Sequence, residues 1–151
     1  MGFRTVAIGR GGDKEPLARK LGANEYVDTG AGAPAEALQR LGGARVILAT
    51  APDAKSIAAL VDGLAPGGKL VIVAVASDLL SVSPPQIILA RRSIQGWPST
   101  TAKDSEDTLQ FSALTGIRPM IERYPLAKAA DAYGQIISGK ARFRVVLTVA
   151  S

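Results

Sequence analysis

Short apolar runs alternate with amphipathic segments through the first half of the chain. Four runs rich in apolar and β-branched residues predict buried strands at 5–8, 25–27, 45–49 and 69–75. The segments between them predict helices at 13–21, 34–41 and 56–64. The last strand is apolar nearly throughout, which predicts burial on both of its faces. This β-α-β order predicts an α/β fold with a doubly wound parallel sheet.

The second half of the chain has a less regular pattern. It predicts a helical turn at 84–91, a strand at 93–96, an extended segment at 119–125 and a terminal strand at 142–149. Residues 104–115 predict a helix whose Leu109, Phe111 and Leu114 face inward. Residues 126–137 predict another helix, whose apolar stripe consists of four residues: Ala129, Ala130, Tyr133 and Ile137.

The turn after the first strand carries the first candidate chemistry. Gly9 and Arg10 stand where the chain leaves the carboxyl end of that strand, and Gly11 and Gly12 let the backbone turn. We predict that Asp13 caps the helix that follows. Ligands of open α/β sheets bind outside the carboxyl ends of the strands, so an arginine there can recognise a phosphate. The alternative is a solvated arginine on a turn.

Composition and charge narrow the classes of function. The chain of 151 residues fits one domain and has a net charge of +5, which suits anionic partners. Its basic residues are scattered without interleaved aromatics, which disfavours nucleic acid. The sequence has no Cys and no His, so a zinc site could be built only from carboxylates. Apolar runs are strand-length, so we predict no membrane span and interpret the chain as cytoplasmic.

Three motifs carry a resemblance to a known family. They are Lys-Leu-Gly-Ala at 20–23, Leu-Ala-Pro-Gly-Gly-Lys at 64–69, and Tyr133 followed by Ser-Gly-Lys-Ala-Arg-Phe-Arg-Val-Val-Leu at 138–147. In this order and spacing the set resembles the carboxyl-terminal part of the zinc-type medium-chain alcohol dehydrogenases. The resemblance implies that residues 1–116 form a partial dinucleotide-binding domain. It implies that residues 117–151 are a return segment that packs on a catalytic domain.

Two family features have no counterpart in this sequence. The family's zinc ligands, typically Cys and His, belong to the amino-terminal domain, so we assign no catalytic and no metal-binding residue here. The first strand of the nucleotide-binding fold and its Gly-rich turn also lack a counterpart, because the stretch at 9–12 follows the second strand. We therefore interpret the chain as a truncated product or a fragment that is inactive alone.

The resemblance implies a nicotinamide cofactor and the residues that contact it. In the family, an acidic residue at the end of the second strand binds the ribose hydroxyls and favours NAD. Here Gly9 and Arg10 remove that repulsion and supply a cation, which favours NADP over NAD, and Lys14 could assist. Replacing Gly9 with Asp should then swing the preference to NAD. Further cofactor contacts are implied at Thr50, Ala51, Val73, Val75, Trp97, Pro98, Ser99 and Arg144.

Each of these residues also has a plainer interpretation. Lys14 and Arg144 could be solvated surface, while Thr50 and Ala51 could serve only the turn that follows their strand. Core packing alone would explain Val73 and Val75, and equally the segment 97–99.

Two classes of function therefore compete. The first is an NAD(P)-dependent alcohol dehydrogenase, which passes hydride between a nicotinamide and an alcohol or aldehyde, with zinc assistance in the intact parent. The alternative is a truncated, non-catalytic nucleotide-binding or oligomerisation module. A nucleic-acid binder would rest on charge alone. The family's edge strand pairs across a two-fold axis, so we expect at least a homodimer through residues 87–97.

The resemblance also predicts a gap in the sheet. The doubly wound strand order is 3-2-1-4-5-6, and strand 1 is the one without a counterpart. The strands at 5–8 and 45–49 should then face a slot about 9–10 Å wide, two strand spacings. Either other residues fill the slot, or the two strands close up and pair, or another copy donates a strand. The terminal strand at 142–149 should likewise lack its partners.

Overall fold

The computed structural model describes residues 2–98 and 101–149. The chain divides into two compact units, Met1–Ser99 and Thr100–Ser151. The expectation that residues 117–151 pack on a catalytic domain stays a prediction. No helix among the described residues combines the length and apolar character needed to cross a bilayer. The cytoplasmic location stays a prediction too.

The first unit contains two parallel sheets in an α/β arrangement. One sheet pairs β1 (Val6–Gly9) with β2 (Glu25–Asp28). The other has the order β3-β4-β5, formed by Ala44–Ala49, Leu64–Ile72 and Ser93–Gly96. The helices of this unit are α1 (Glu15–Lys20), α2 (Pro34–Arg40), α3 (Ala54–Ala58) and α4 (Pro84–Ile88). The predicted α/β class and the predicted strand neighbours are confirmed.

The two sheets are not joined by backbone pairing. Within the described residues, no ladder connects β1 with β3. Val6 and Ile8 of β1 are half-buried, and both pack against the core cluster that includes Ile47 of β3. Direct pairing of these two strands, one of the three outcomes expected for the slot, is therefore not what the structure contains.

The core lies between the three-stranded sheet and α2. Its most buried side chains are Val61, Leu64 and Leu70, packed with Leu38 of α2. Gly63 makes this close approach possible, because a Cβ there would lie 2.6 Å from Leu38 Cδ1. Burial of this apolar cluster is what holds α2 against the sheet.

Arg92 joins α4 to the turn before β4. Its guanidinium donates to Asp62 Oδ1 at 3.0 Å and to the carbonyl oxygens of Leu64 and Gln86. Gln86 Nε2 also donates to Asp62 Oδ2, at 2.8 Å. One arginine of the adjacent pair Arg91–Arg92 is thus engaged within the fold, which weakens the charge argument for nucleic acid.

Three local predictions in this unit are wrong. The helix predicted at 56–64 is instead the short α3 followed by a 3₁₀ turn at Val61–Gly63. It starts two residues before the predicted position because the Asp53 carboxylate caps it by accepting from the Ser56 amide. Asp13 does not cap α1; it lies in a 3₁₀ turn, Gly12–Lys14. The strand predicted at 69–75 begins at Leu64 and ends at Ile72. Its Lys69 is exposed, as is Val75 beyond its end, so burial on both faces is not observed.

The second unit contains α5 (Ala102–Thr115), β6 (Ile121–Pro125), α6 (Ala129–Ile137) and β7 (Arg144–Thr148). A capping box between Thr101 and Asp104 starts α5. The predicted inward face of α5 is wrong, since Leu109, Phe111 and Leu114 are exposed.

Two further corrections concern the end of the chain. The predicted stripe of α6 is wrong because Ala132 is its buried residue, whereas Tyr133 and Ile137 are exposed. The terminal strand does have a partner, because β7 pairs in parallel with β6. The segment between these two strands contains α6, so β6, α6 and β7 form a β-α-β unit, the usual connection between parallel strands.

Candidate functional site

The carboxyl ends of β1 and β2 lie side by side because the two strands are parallel. Gly9 is the register partner of Asp28, and the Gly9 carbonyl accepts from the Thr29 amide at 2.9 Å. The backbone at Gly9, where the loop after β1 begins, is therefore held by a hydrogen bond from the chain that follows β2. Arg10 follows directly and is exposed, which leaves its guanidinium accessible to a ligand.

Two side chains from β2 brace this loop at Gly11. The Gly11 amide donates to Asp28 Oδ1 at 2.8 Å, and the Gly11 carbonyl accepts from the Tyr26 hydroxyl at 2.8 Å. Gly11 has φ +88°, a conformation that glycine adopts without strain. The backbone after Arg10 is therefore fixed by contacts with the neighbouring strand.

Lys14 completes the loop from the other side. Its ammonium donates to the carbonyl oxygen of Arg10. Two cationic side chains thus belong to one short loop at a strand end, which is the chemistry expected of a phosphate contact. Whether Lys14 touches a cofactor stays a prediction.

The ionisation of Asp28 and Tyr26 follows from these contacts. Amide donation from Gly30, and then from Gly11, holds the pKa of the Asp28 carboxyl below its ordinary value, with a smaller contribution from Lys14. Partial burial, followed by repulsion from Asp28, raises the pKa of the Tyr26 hydroxyl. At neutral pH Asp28 is therefore an anionic acceptor and Tyr26 a neutral donor, as their hydrogen bonds require.

Replacing Asp28 with Asn should destabilise the protein in a pH-dependent way. A carboxylate with a lowered folded pKa stabilises the fold above its unfolded pKa, about 3.9, and loses that contribution as pH falls through the folded value. The difference in melting temperature between wild type and Asp28→Asn should therefore shrink as pH falls below about 4. Glu36→Gln, on the exposed face of α2, is the charge-matched control. A difference that stays constant with pH would contradict this role.

A second candidate region lies at the carboxyl ends of β4 and β5. A cavity of about 460 Å³ there is lined by residues that include Ile72, Val73, Val75, Trp97 and Pro98. The Trp97 amide donates to the Ile72 carbonyl at 2.9 Å, and the Val73 amide donates to Ala49 at 3.1 Å. The ends of β3, β4 and β5 are therefore tied together around an apolar, partly open space.

The remaining predicted contact residues have different surroundings. Thr50 and Ala51 follow β3 directly and are exposed. Ser99 lies outside the described residues. Arg144 is the first residue of β7 in the second unit, and it is exposed. The structure thus brings Val73, Val75, Trp97 and Pro98 to one cavity, and Gly9, Arg10 and Lys14 to one loop.

Tyr26 and Asp28 are the loop residues that the sequence did not point to. A signal for them existed, because pairing the first two predicted strands in parallel sets Gly9 opposite Asp28 and Ala7 opposite Tyr26. Side chains two residues apart on a strand share a face, so Tyr26 and Asp28 both reach the side that Gly9 leaves open.

The residues of this chain do not fit a zinc ion. The sequence has neither Cys nor His. In the part of the chain that the structure describes, no three Asp or Glu residues gather into a group that could hold a metal. We therefore derive no step through zinc from these residues.

Comparison with known proteins identifies the family. A family model described as zinc-binding dehydrogenase matches residues 1–114. The alcohol dehydrogenase patD of Penicillium expansum is 43% identical over 148 residues, which are 98% of this chain and 43% of that protein. The alcohol dehydrogenase notN of Aspergillus sp. (strain MF297-2) is 40% identical over 149 residues, 99% of this chain and 44% of that protein. This chain belongs to the zinc-binding dehydrogenase family.

Solved structures agree on the fold. Benzyl alcohol dehydrogenase from Acinetobacter calcoaceticus superposes with a TM-score of 0.84 at 19% identity, over 96% of this chain and 42% of that one. An NAD-dependent alcohol dehydrogenase superposes with a TM-score of 0.84 at 22% identity, over 97% of this chain and 44% of that one. The chain therefore spans less than half the length of the relatives it matches.

Proposed function

We propose that this chain is the cofactor-binding portion of an NAD(P)-dependent alcohol dehydrogenase. In the intact enzyme, hydride would pass between a nicotinamide cofactor and an alcohol or aldehyde. The observation that carries the proposal is the braced loop at the end of β1, where Arg10 and Lys14 supply positive charge. The cavity beside Val73 and Trp97 supports it, since an apolar wall with backbone groups nearby suits a flat nicotinamide ring.

NADP is the preferred cofactor in this proposal. An acidic residue at position 9 would repel a 2′-phosphate, and Gly9 cannot do so. Titration calorimetry with NADPH and NADH tests the proposal directly. We expect NADPH to bind at least as tightly as NADH. A protein that binds neither nucleotide would overturn the proposed function, and a tenfold preference for NADH would overturn the role of Arg10.

The 151-residue chain alone should hold no stoichiometric zinc and oxidise no alcohol. The reason is the absence of Cys and His from its sequence. Metal analysis of the purified chain, together with an assay on simple primary alcohols, checks this. Stoichiometric zinc accompanied by turnover would contradict it, and would also reject the assignment of the catalytic groups to a further part of the protein.

The second candidate function is a non-catalytic nucleotide-binding or oligomerisation module. Its support is the same lack of Cys and His, together with the absence of a metal-holding carboxylate cluster from residues 2–98 and 101–149. The mass of the protein in its native source discriminates between the two. A chain about twice as long, with Cys and His in the added part, favours the dehydrogenase. A mass that matches 151 residues favours the module.

We also propose that the protein is at least a dimer through residues 87–97. Within the described residues β5 pairs only with β4, so its outer edge is open to a second strand. Ile88 and Leu89 beside it are exposed apolar side chains. Light scattering at micromolar concentration should show a dimer or larger species, and Leu89→Glu should shift it toward monomer. A monodisperse wild-type monomer would contradict this arrangement.

A further inference from the structure

The Tyr26 hydroxyl lies where a side chain at position 9 would begin. A Cβ added to Gly9 would stand 2.7 Å from Tyr26 Oη, closer than real Cβ atoms come to a heavy atom. The rest of the ring leaves room, because Cζ and Cε2 would lie at 3.5 and 3.6 Å. Gly9 does not have a positive φ, so its backbone could accept another residue. Of the atoms nearest to such a Cβ, only the Tyr26 hydroxyl oxygen lies too close.

The hydroxyl is not free to move aside. It donates to the Gly11 carbonyl at 2.8 Å, one residue beyond Arg10. Swinging it away from a new side chain would break that bond and release the loop on the side of β2. The neighbouring Asp28 carboxylate, which holds the Gly11 amide, would then be the remaining brace from that strand.

We propose that Tyr26 is a positioning residue that determines cofactor specificity. Its hydroxyl fills the space of a position-9 side chain, and it also holds the Arg10 loop in place for the 2′-phosphate of an adenosine ribose. This inference rests on the proposed function, because it takes the loop to be the ribose site. An acidic residue that would select the unphosphorylated ribose fits position 9 only when the hydroxyl is removed. The sequence alone predicts that Gly9→Asp swings the preference to NAD, but the contact with Tyr26 changes that expectation, and Gly9→Asp alone should fail to convert the protein to NAD.

The contact itself is tested by a double-mutant cycle on the full chain, with melting temperature as the readout. Gly9→Ala should lower the melting temperature when Tyr26 is present. In the Tyr26→Phe background the same change should be neutral or stabilising, since Gly→Ala at a compatible φ restricts the unfolded chain. Gly12→Ala is the matched control, because a Cβ at Gly12 meets nothing within 4 Å and Gly12 has no positive φ. Tyr133→Phe, an exposed tyrosine, controls for the loss of a hydroxyl.

The sign of the change decides the outcome of this cycle. The proposal is supported if Gly9→Ala lowers the melting temperature in wild type but not in Tyr26→Phe, while Gly12→Ala has equal effects in both backgrounds. Equal effects of Gly9→Ala with and without the hydroxyl overturn it. If Gly9→Ala does not fold, recovery of folding in the Gly9→Ala/Tyr26→Phe protein is the expected result. Failure of the double variant to recover counts against the proposal.

Cofactor specificity is tested by calorimetric titration of the same protein with NADPH and NADH. Gly9→Asp should weaken both, because it displaces the loop. Gly9→Asp/Tyr26→Phe should recover NADH binding and shift the NADH-to-NADPH ratio at least tenfold relative to wild type. A full shift produced by Gly9→Asp alone overturns the role of Tyr26. If wild type binds neither nucleotide, the proposed function fails; if it binds NADPH but the cycle shows no coupling, only the role of Tyr26 fails.

Discussion

Arg10→Gln is expected to weaken NADPH binding about tenfold while leaving NADH binding nearly unchanged. A hydrogen bond to a charged group contributes about 1.5–3 kcal/mol, or about tenfold to over a hundredfold in affinity. Arg10 is exposed, so solvent screening favours the lower end of that range. Titration calorimetry with the two reduced cofactors measures the effect.

Arg4→Gln is the matched control for this change. Arg4 carries the same charge just before β1, at the opposite end of the strand from Arg10, and is paired with Glu25 at 2.9 Å. Its loss should change NADPH and NADH binding equally and slightly. If the two variants lose NADPH affinity to the same extent, net charge and not the position of Arg10 governs binding, and the assignment of the loop to the 2′-phosphate is contradicted.

The facing edges of β1 and β3 should gain strong protection from hydrogen exchange when further chain is present. Among the residues that the structure describes, no strand pairs with these edges, and unpaired buried peptide groups cost about 1–3 kcal/mol each. Several such groups approach the total stability of a domain, about 5–15 kcal/mol. The exposed Val46 and Leu48, alternating with buried Ile47 and Ala49, also leave one face of β3 uncovered.

Exchange measured by mass spectrometry on peptides over 5–9 and 44–49 checks this expectation. The peptide over 64–72 is the internal control, because β4 pairs with a strand on each side. We expect the control to be equally protected in the 151-residue chain and in the longer protein. The other two peptides, whose strands each pair on one side only in the short chain, should become more protected in the longer protein. Full protection of β1 and β3 in the short chain would show a self-sufficient fold.

The strands were predictable because their signal is local. Apolar, β-branched runs mark four of the five strands of the first unit, and the parallel order follows from the crossovers between them. Helix ends were less predictable where a side chain competes for the cap, as Asp53 does when it starts α3 at Ala54. Burial was less predictable than helix formation, as the exposed Leu109 and Leu114 of α5 show. Apolar residues at helical spacing predict an apolar helix face, but they do not show that residues of this chain pack against it.

The candidate site was predictable only in part. Glycine and arginine at a strand end pointed to the loop, since the chemistry of a phosphate contact is visible in those residue types. A parallel pairing of the first two predicted strands places Tyr26 near this loop, but its contact with the Gly11 carbonyl depends on the position of one hydroxyl, which residue types do not predict. Val73, Val75, Trp97 and Pro98 meet at one cavity because β4 and β5 end side by side, which follows from strand order more than from residue type.

The most direct test of the account is fluorescence of Trp97 during titration with NADPH. Trp97 is the only tryptophan of these 151 residues and lines the cavity, and reduced nicotinamide absorbs where tryptophan emits. Trp97→Phe isolates its signal in any longer form of the protein. We predict saturable quenching that NADP reverses and that is lost in Trp97→Phe. An emission that NADPH leaves unchanged in the folded protein would contradict the claim that this chain binds a nicotinamide cofactor.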